Sequence, residues 1–236
     1  MKIFIDPGHN YSGADTGATG NGLREQDITY GIAQKLGDLF VMHGYEIKMS
    51  RNNLTDNVGT SVEESIRKRY QMSNDWNADL FLSIHCNSGG GTGTESLVYS
   101  SSGVAADYAK RITEAIVNNL GLKSRGVKVR TDLGVLRGTV APAVLVETAF
   151  IDNKNDAKLL RDQQQEFADA IFEGVTGMKA THVVELTSIN DIVWEYAHRG
   201  IVVDVDGMIK AMKRNPEGRL YWLARKTLQY IRERGF

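Results

Sequence analysis

The alternation of short apolar runs with longer amphipathic stretches constrains this chain more than any other feature. KIFI from Lys2, YEIKM from Tyr45, ADLFLSIH from Ala78, TESLVYS from Thr94 and PAVLVE from Pro142 are short and mostly rich in β-branched or large apolar residues, as strands are. Between them, Asp27 to His43 places Ile28, Ile32, Leu36, Leu39 and Phe40 at helical spacing, and Gly44 stops that helix. Ser61–Trp76, Gly103–Leu120 and Gln163–Gly174 read as further helices, the first of them opened by the capping-box form SVEE. Alternating strands and helices predict an α/β domain, a mostly parallel twisted sheet with helices on both faces. In such sheets, ligands gather beyond the carboxyl ends of the strands.

The pattern breaks near Met178–Thr181, which divides the chain into a domain over 1–178 and a module over 179–236. The module reads as small and all-helical: Ser188 caps INDIVWEYAHRG, Asp204 or Asp206 opens GMIKAMKR, and Pro216 starts EGRLYWLARKTLQYIRERG. Its end is basic, with 8 Lys and Arg against 2 Asp and Glu from Lys210 to Phe236, which suits a polyanionic neighbour. The opposing reading makes Trp194, Tyr196, Tyr221, Trp222 and Tyr230 the core of a helical bundle and the charges its solvated face.

The formal net charge of −1 argues against nucleic acid as a partner. No stretch approaches the roughly 20 apolar residues needed to cross a bilayer. The single cysteine, Cys86, excludes an intrachain disulfide and fits synthesis in a reducing compartment. Met1-Lys2 leads into Ile3–Ile5 and then a polar turn, without the apolar segment of about 7–15 residues of a secretory signal. The expectation is a protein made in the cytoplasm without a signal peptide.

Four residues stand out for chemistry. His9 in IDPGHN, His85 in FLSIHCN and Glu147 in AVLVETAF each lie at the end of a predicted strand, and Glu25 in GLREQD lies at the mouth of the first long helix. Two imidazoles and one carboxylate make a three-ligand zinc site with a fourth position for water, and a further carboxylate is then available to shuttle a proton. Each residue also has a plainer reading. A histidine ending a strand is often structural, Glu147 can face solvent, and Glu25 can serve the helix dipole.

The segments IFIDPGHN, ADTGATGNGLREQD, Ser50-Arg51, Arg69 with Asn74 ahead of ADLFLSIHCN, RGVKV from Arg125, VLR from Val135 and PAVLVETAFIDNKND occur in that order. In this, Lys2 to about Gly177 resembles the zinc-dependent N-acetylmuramoyl-L-alanine amidases of bacterial autolysins and phage endolysins. The resemblance implies that His9, Glu25 and His85 bind one zinc per chain and that Glu147 is the catalytic glutamate. It implies a substrate in peptidoglycan, cut between N-acetylmuramic acid and L-alanine. Outside the resemblance, the module's basic charge and its aromatics favour binding to anionic wall polymers, against oligomerisation or a structural role. An endolysin-like enzyme, acting on the wall after release, follows from the resemblance and the missing signal. The rival readings are a zinc peptidase acting on the stem peptide and a non-catalytic wall-binding protein on the same fold.

Supporting residues each carry two readings. Asn87 shares the strand face of His85 and can orient a ligand, touch substrate, or cap the following turn. Asp6 and Asp15 can accept a histidine N–H or form turns. Arg69 can pair with a buried carboxylate or lie on a solvated helix face, and Cys86 reads as a small core residue. Two features depart from the family pattern. Thr148-Ala149 stands where many relatives have an apolar residue and glycine, and the loop after Asn87 is short and glycine-rich, which predicts an open cleft.

Overall fold

Strand β1 (Lys2–Pro7) is sandwiched because its alternate side chains serve two cores, Ile3 and Ile5 on one face and Phe4 on the other. The computed structural model describes residues 1–180, which form a compact unit. The module expected over 179–236 lies, beyond Ala180, outside the described residues.

After β1 come the two-residue strands β2 (Thr19–Gly20) and β3 (Leu23–Arg24), helix α1 (Glu25–Met42), β4 (Glu46–Met49) and α2 (Val62–Asp75). There follow β5 (Leu80–Asn87), β6 (Thr94–Val98), α3 (Val104–Leu120), β7 (Ser124–Val129), α4 (Gly134–Gly138), β8 (Ala143–Phe150), α5 (Lys154–Asp162) and α6 (Gln164–Thr176). The main sheet has the order β4-β1-β5-β8-β6-β7. The strands β4, β1, β5 and β8 are parallel, whereas β6 pairs antiparallel with β8 and carries β7 parallel to itself.

On one face Ile5, Leu82, Ile84, Val144 and Val146 pack with Ile32, Leu36 and Phe40 of α1, Ile112 and Ile116 of α3, and Phe167 and Ile171 of α6. On the other, Phe4, Phe81, Leu97 and Leu145 pack with Val135 and Leu136 of α4 and with Ile66 and Met72 of α2. Helices thus cover both faces of a mostly parallel sheet, as the sequence predicts.

Local signals held with adjustments. Ser61 caps α2 by accepting the Glu64 N–H at 3.1 Å, but Glu64 turns its carboxylate onto Thr60, at 2.7 Å from the backbone N and 2.6 Å from Oγ1. The reciprocal arm of the capping box is displaced by one residue. Helix α1 starts at Glu25, ahead of the predicted Asp27, because the β2–β3 hairpin delivers the chain directly into its first turn.

Candidate active site

The four residues singled out above gather towards the carboxyl ends of the sheet's central strands. His9 follows β1, His85 and Glu147 are register partners in β5 and β8, and Glu25 opens α1. His9 Nε2 lies 3.1 Å and His85 Nδ1 3.0 Å from Glu25 Oε1, and the two imidazole rings meet edge to face at 4.8 Å. Nitrogen and oxygen atoms of these three side chains fall within 4.8 Å of one another. Glycine makes this approach possible. A Cβ on Gly8 would stand 2.5 Å from His85 Cε1, and one on Gly17 would stand 2.7 Å from Glu25 Cβ. Two imidazoles and a carboxylate with this convergence fit a single divalent transition metal of the zinc type.

Glu25 and His9 are fixed from behind. Glu25 Oε2 accepts the Ala18 N–H at 2.8 Å, and Oε1 accepts the Cys86 N–H at 2.9 Å. Burial opposes ionisation of Glu25, but hydrogen bonds from His85 and His9 overcome it and hold the carboxyl far below its usual range. His9 adopts a left-handed backbone, φ 67°, which is uncommon outside glycine and needs support. Two buried arginines supply it. Arg69 Nη1 donates to the Pro7 carbonyl at 2.8 Å, and Arg51 Nη2 donates to the carbonyls of Gln26 at 2.8 Å and Gly8 at 3.3 Å.

Asp15 stands 3.3 Å from His9 Nδ1 through Oδ1 and accepts the Ser65 hydroxyl through Oδ2 at 2.5 Å. The His9 contact is close, but its alignment falls short of a full hydrogen bond. Burial opposes protonation of His9, and the contacts with Asp15 and Glu25 outweigh it, raising the imidazole to about 9. Asp6, the other aspartate considered, touches no imidazole among the described residues. It is fully buried and accepts from Arg69 at 2.7 Å, Ser50 at 2.5 Å and Ser83 at 2.8 Å. Arg69 therefore pairs with a buried carboxylate and does not lie on a solvated face.

Glu147 is half-buried, yet its Oε2 is withdrawn from solvent and has no hydrogen-bond partner among the described residues. Burial pushes its carboxyl up to about 7, with His85 opposing and Glu25 and Glu95 adding to the rise. Just beyond Glu147 the β5–β8 register shifts, so that His85 pairs with Glu147 but Asn87 pairs with Phe150. Strand β8 carries one residue more than β5 here, within the unusual Thr148-Ala149 pair opposite Cys86. The Thr148 hydroxyl donates to the His85 carbonyl at 2.8 Å, an anchor for the strand that an apolar residue cannot make. Asn87 caps the turn by accepting the Ser88 N–H at 2.9 Å and donates to Glu95 at 2.8 Å. Cys86 packs into the core.

The sequence reading missed two groups here. Arg51 is fully buried, although arginine by composition reads as surface. Glu95 is buried with the rest of β6, and a carboxylate inside the predicted strand TESLVYS was the available signal for a polar cluster beside Glu147.

A family model described as N-acetylmuramoyl-L-alanine amidase matches residues 3–177. The chain belongs to this amidase family. Among curated amidase relatives, the N-acetylmuramoyl-L-alanine amidase CwlM of Bacillus licheniformis is 38% identical over 162 residues, covering 68% of this chain and 61% of its own length. The endolysin of Bacillus phage SPP1 is 36% identical over 179 residues, covering 73% of this chain and 62% of its own. Among solved amidase-like folds, the catalytic domain of the CD27L endolysin targeting Clostridia difficile superposes with a TM-score of 0.66 at 30% identity, over 77% of this chain and 99% of that one. The chain thus spans about three fifths of the length of the curated relatives it matches first.

Proposed function

We propose that this chain is a zinc-dependent amidase of peptidoglycan that hydrolyses the bond between N-acetylmuramic acid and the L-alanine of the stem peptide. The observation that carries the reading is the Glu147 carboxylate, with an unpartnered oxygen, in register with His85 of a three-donor cluster. His9 Nε2, His85 Nδ1 and Glu25 Oε1 would hold the zinc. When bound there, zinc supplies a water of lowered pKa, near 7, and polarises the scissile carbonyl.

The chain's own residues do the rest. Glu147 Oε2 takes the water proton and returns it to the leaving alanine nitrogen, a transfer suited to a carboxyl held at about 7. Asp15 and the Arg51–Arg69 pair keep the His9 ring in its ligating orientation. No helix among the described residues is long and apolar enough to cross a membrane. The similarity to a phage endolysin supports an endolysin-like action on the wall. The basic end of the chain is proposed, on its charge, to favour anionic wall polymers.

Mass analysis of fragments from purified peptidoglycan tests the reading. Peptides beginning with a free L-alanine amino group support it, and new carboxyl ends within the stem peptide establish a peptidase in its place.

A further inference from the structure

Beside Glu147 the sheet carries a polar cluster that the proposed metal chemistry does not use. Glu95 in β6 stands directly opposite Glu147 in β8 and is 6% exposed. Its carboxylate accepts from Asn87 Nδ2 at 2.8 Å, from Arg125 Nε at 3.0 Å and from Lys128 Nζ at 2.6 Å. One buried carboxylate meets two cations, so the cluster keeps a positive charge next to the proposed reaction centre.

Arg125 is held from a second side as well. Its guanidinium lies over the Phe150 ring, 4.9 Å from the centroid, and Phe150 is the buried end of β8 in register with Asn87. With Nε engaged and the plane fixed, its two Nη groups have no hydrogen-bond partner among the described residues, and the side chain is 30% exposed. A guanidinium fixed in this way is a preorganised fork for a planar carboxylate. Lys128 contributes charge without that geometry.

We infer that Arg125 binds a free carboxylate on the peptide side of the scissile bond, so that this chain reads the charge of the stem peptide. The inference rests on the amidase reading, which brings a carboxylate-bearing peptide to Glu147. The nearest such group is the α-carboxyl of the glutamate that follows L-alanine, which is free in some walls and amidated in others.

Two muropeptides differing only in that α-carboxyl, free or amidated, serve as substrates for the wild-type, Arg125→Gln, Arg125→Lys and Lys128→Gln proteins. Binding of L-Ala-γ-D-Glu and of its α-amide is measured alongside by NMR titration. The wild-type protein is expected to favour the free carboxylate in kcat/KM and in affinity by roughly 10–100-fold, the range of a charged hydrogen-bonded contact. Arg125→Gln should erase that preference, raising KM for the free-carboxylate substrate relative to the amidated one. Arg125→Lys, which keeps the charge beside Glu95, should recover only part of it, and Lys128→Gln should retain most of it.

Equal handling of both substrates by the wild-type protein overturns the assignment. So does an equal loss of preference in Lys128→Gln, which would make net charge the cause and not the Arg125 fork. If the wild-type protein cleaves neither muropeptide, the amidase reading fails, and the binding titration alone decides Arg125.

Discussion

Replacing Glu147 by glutamine keeps the side chain's shape and removes its capacity to hold a negative charge or take a proton at neutral pH. In the metal-free protein, burial raises this carboxyl from its ordinary 4.5 to about 7. The folded state therefore holds the proton more tightly than the unfolded chain. Its contribution to stability is fully present below pH 4.5 and is lost as pH rises through 7. At about 1.4 kcal/mol per tenfold change in proton affinity, the cost at pH 8 approaches 3 kcal/mol. Urea unfolding of the metal-free proteins should show Glu147→Gln close to wild type at pH 4 and more stable by up to about 3 kcal/mol at pH 8. With zinc restored, the variant should keep its metal and lose about 10²–10⁴-fold in turnover, the usual cost of removing a general base. Identical stability differences at the two pH values would refute the desolvated carboxyl. Full zinc with near-normal turnover would assign the proton transfer to another group, and lost zinc with rescue by added metal would make Glu147 a ligand.

Three further outcomes are expected. Because His9 is raised to about 9, zinc must displace its proton at neutral pH, and competition titrations should show affinity climbing about tenfold per pH unit up to that value. Asp15→Asn, which tolerates the left-handed backbone at φ 62°, should move this climb to lower pH and weaken limiting affinity by roughly 10–100-fold; affinity independent of pH and unchanged in the variant would remove Asp15 from the account. Ending the chain at Met178 should leave a soluble, cooperatively folding and active unit, as circular dichroism and wall digestion would report, whereas insolubility would place the boundary elsewhere.

The strands that cross the buried sheet were legible because burial on both faces enforces continuous apolar runs, as in β5 and β8. Strand β7 was not, since it is an exposed edge reading SRGVKV, with charges where a central strand carries apolar groups. Helix α5, KNDAKLLRD, buries only Asp156, Ala157 and Leu160, too few to print a helical period. The reversal of β6 was invisible for a different reason: an apolar run carries no direction. Placing His9, His85 and Glu147 at strand ends sufficed to bring them near one another. Asp15 and Arg69 were legible only as one of two readings each, and Arg51 was not legible at all, because it finds its carbonyl partners at Gly8 and Gln26, distant in sequence. A buried arginine bound to backbone carbonyls leaves no periodic trace.

The central claim is that His9, Glu25 and His85 hold one zinc whose presence lets Glu147 drive cleavage at L-alanine. Chelator-stripped protein, titrated with zinc while free L-alanine amino termini released from purified peptidoglycan are counted, tests this directly. The account predicts release that rises with added zinc and saturates at one equivalent per chain, with none restored in His85→Ala. Undiminished release from metal-free protein, or recovery in His85→Ala at one equivalent of zinc, would contradict it.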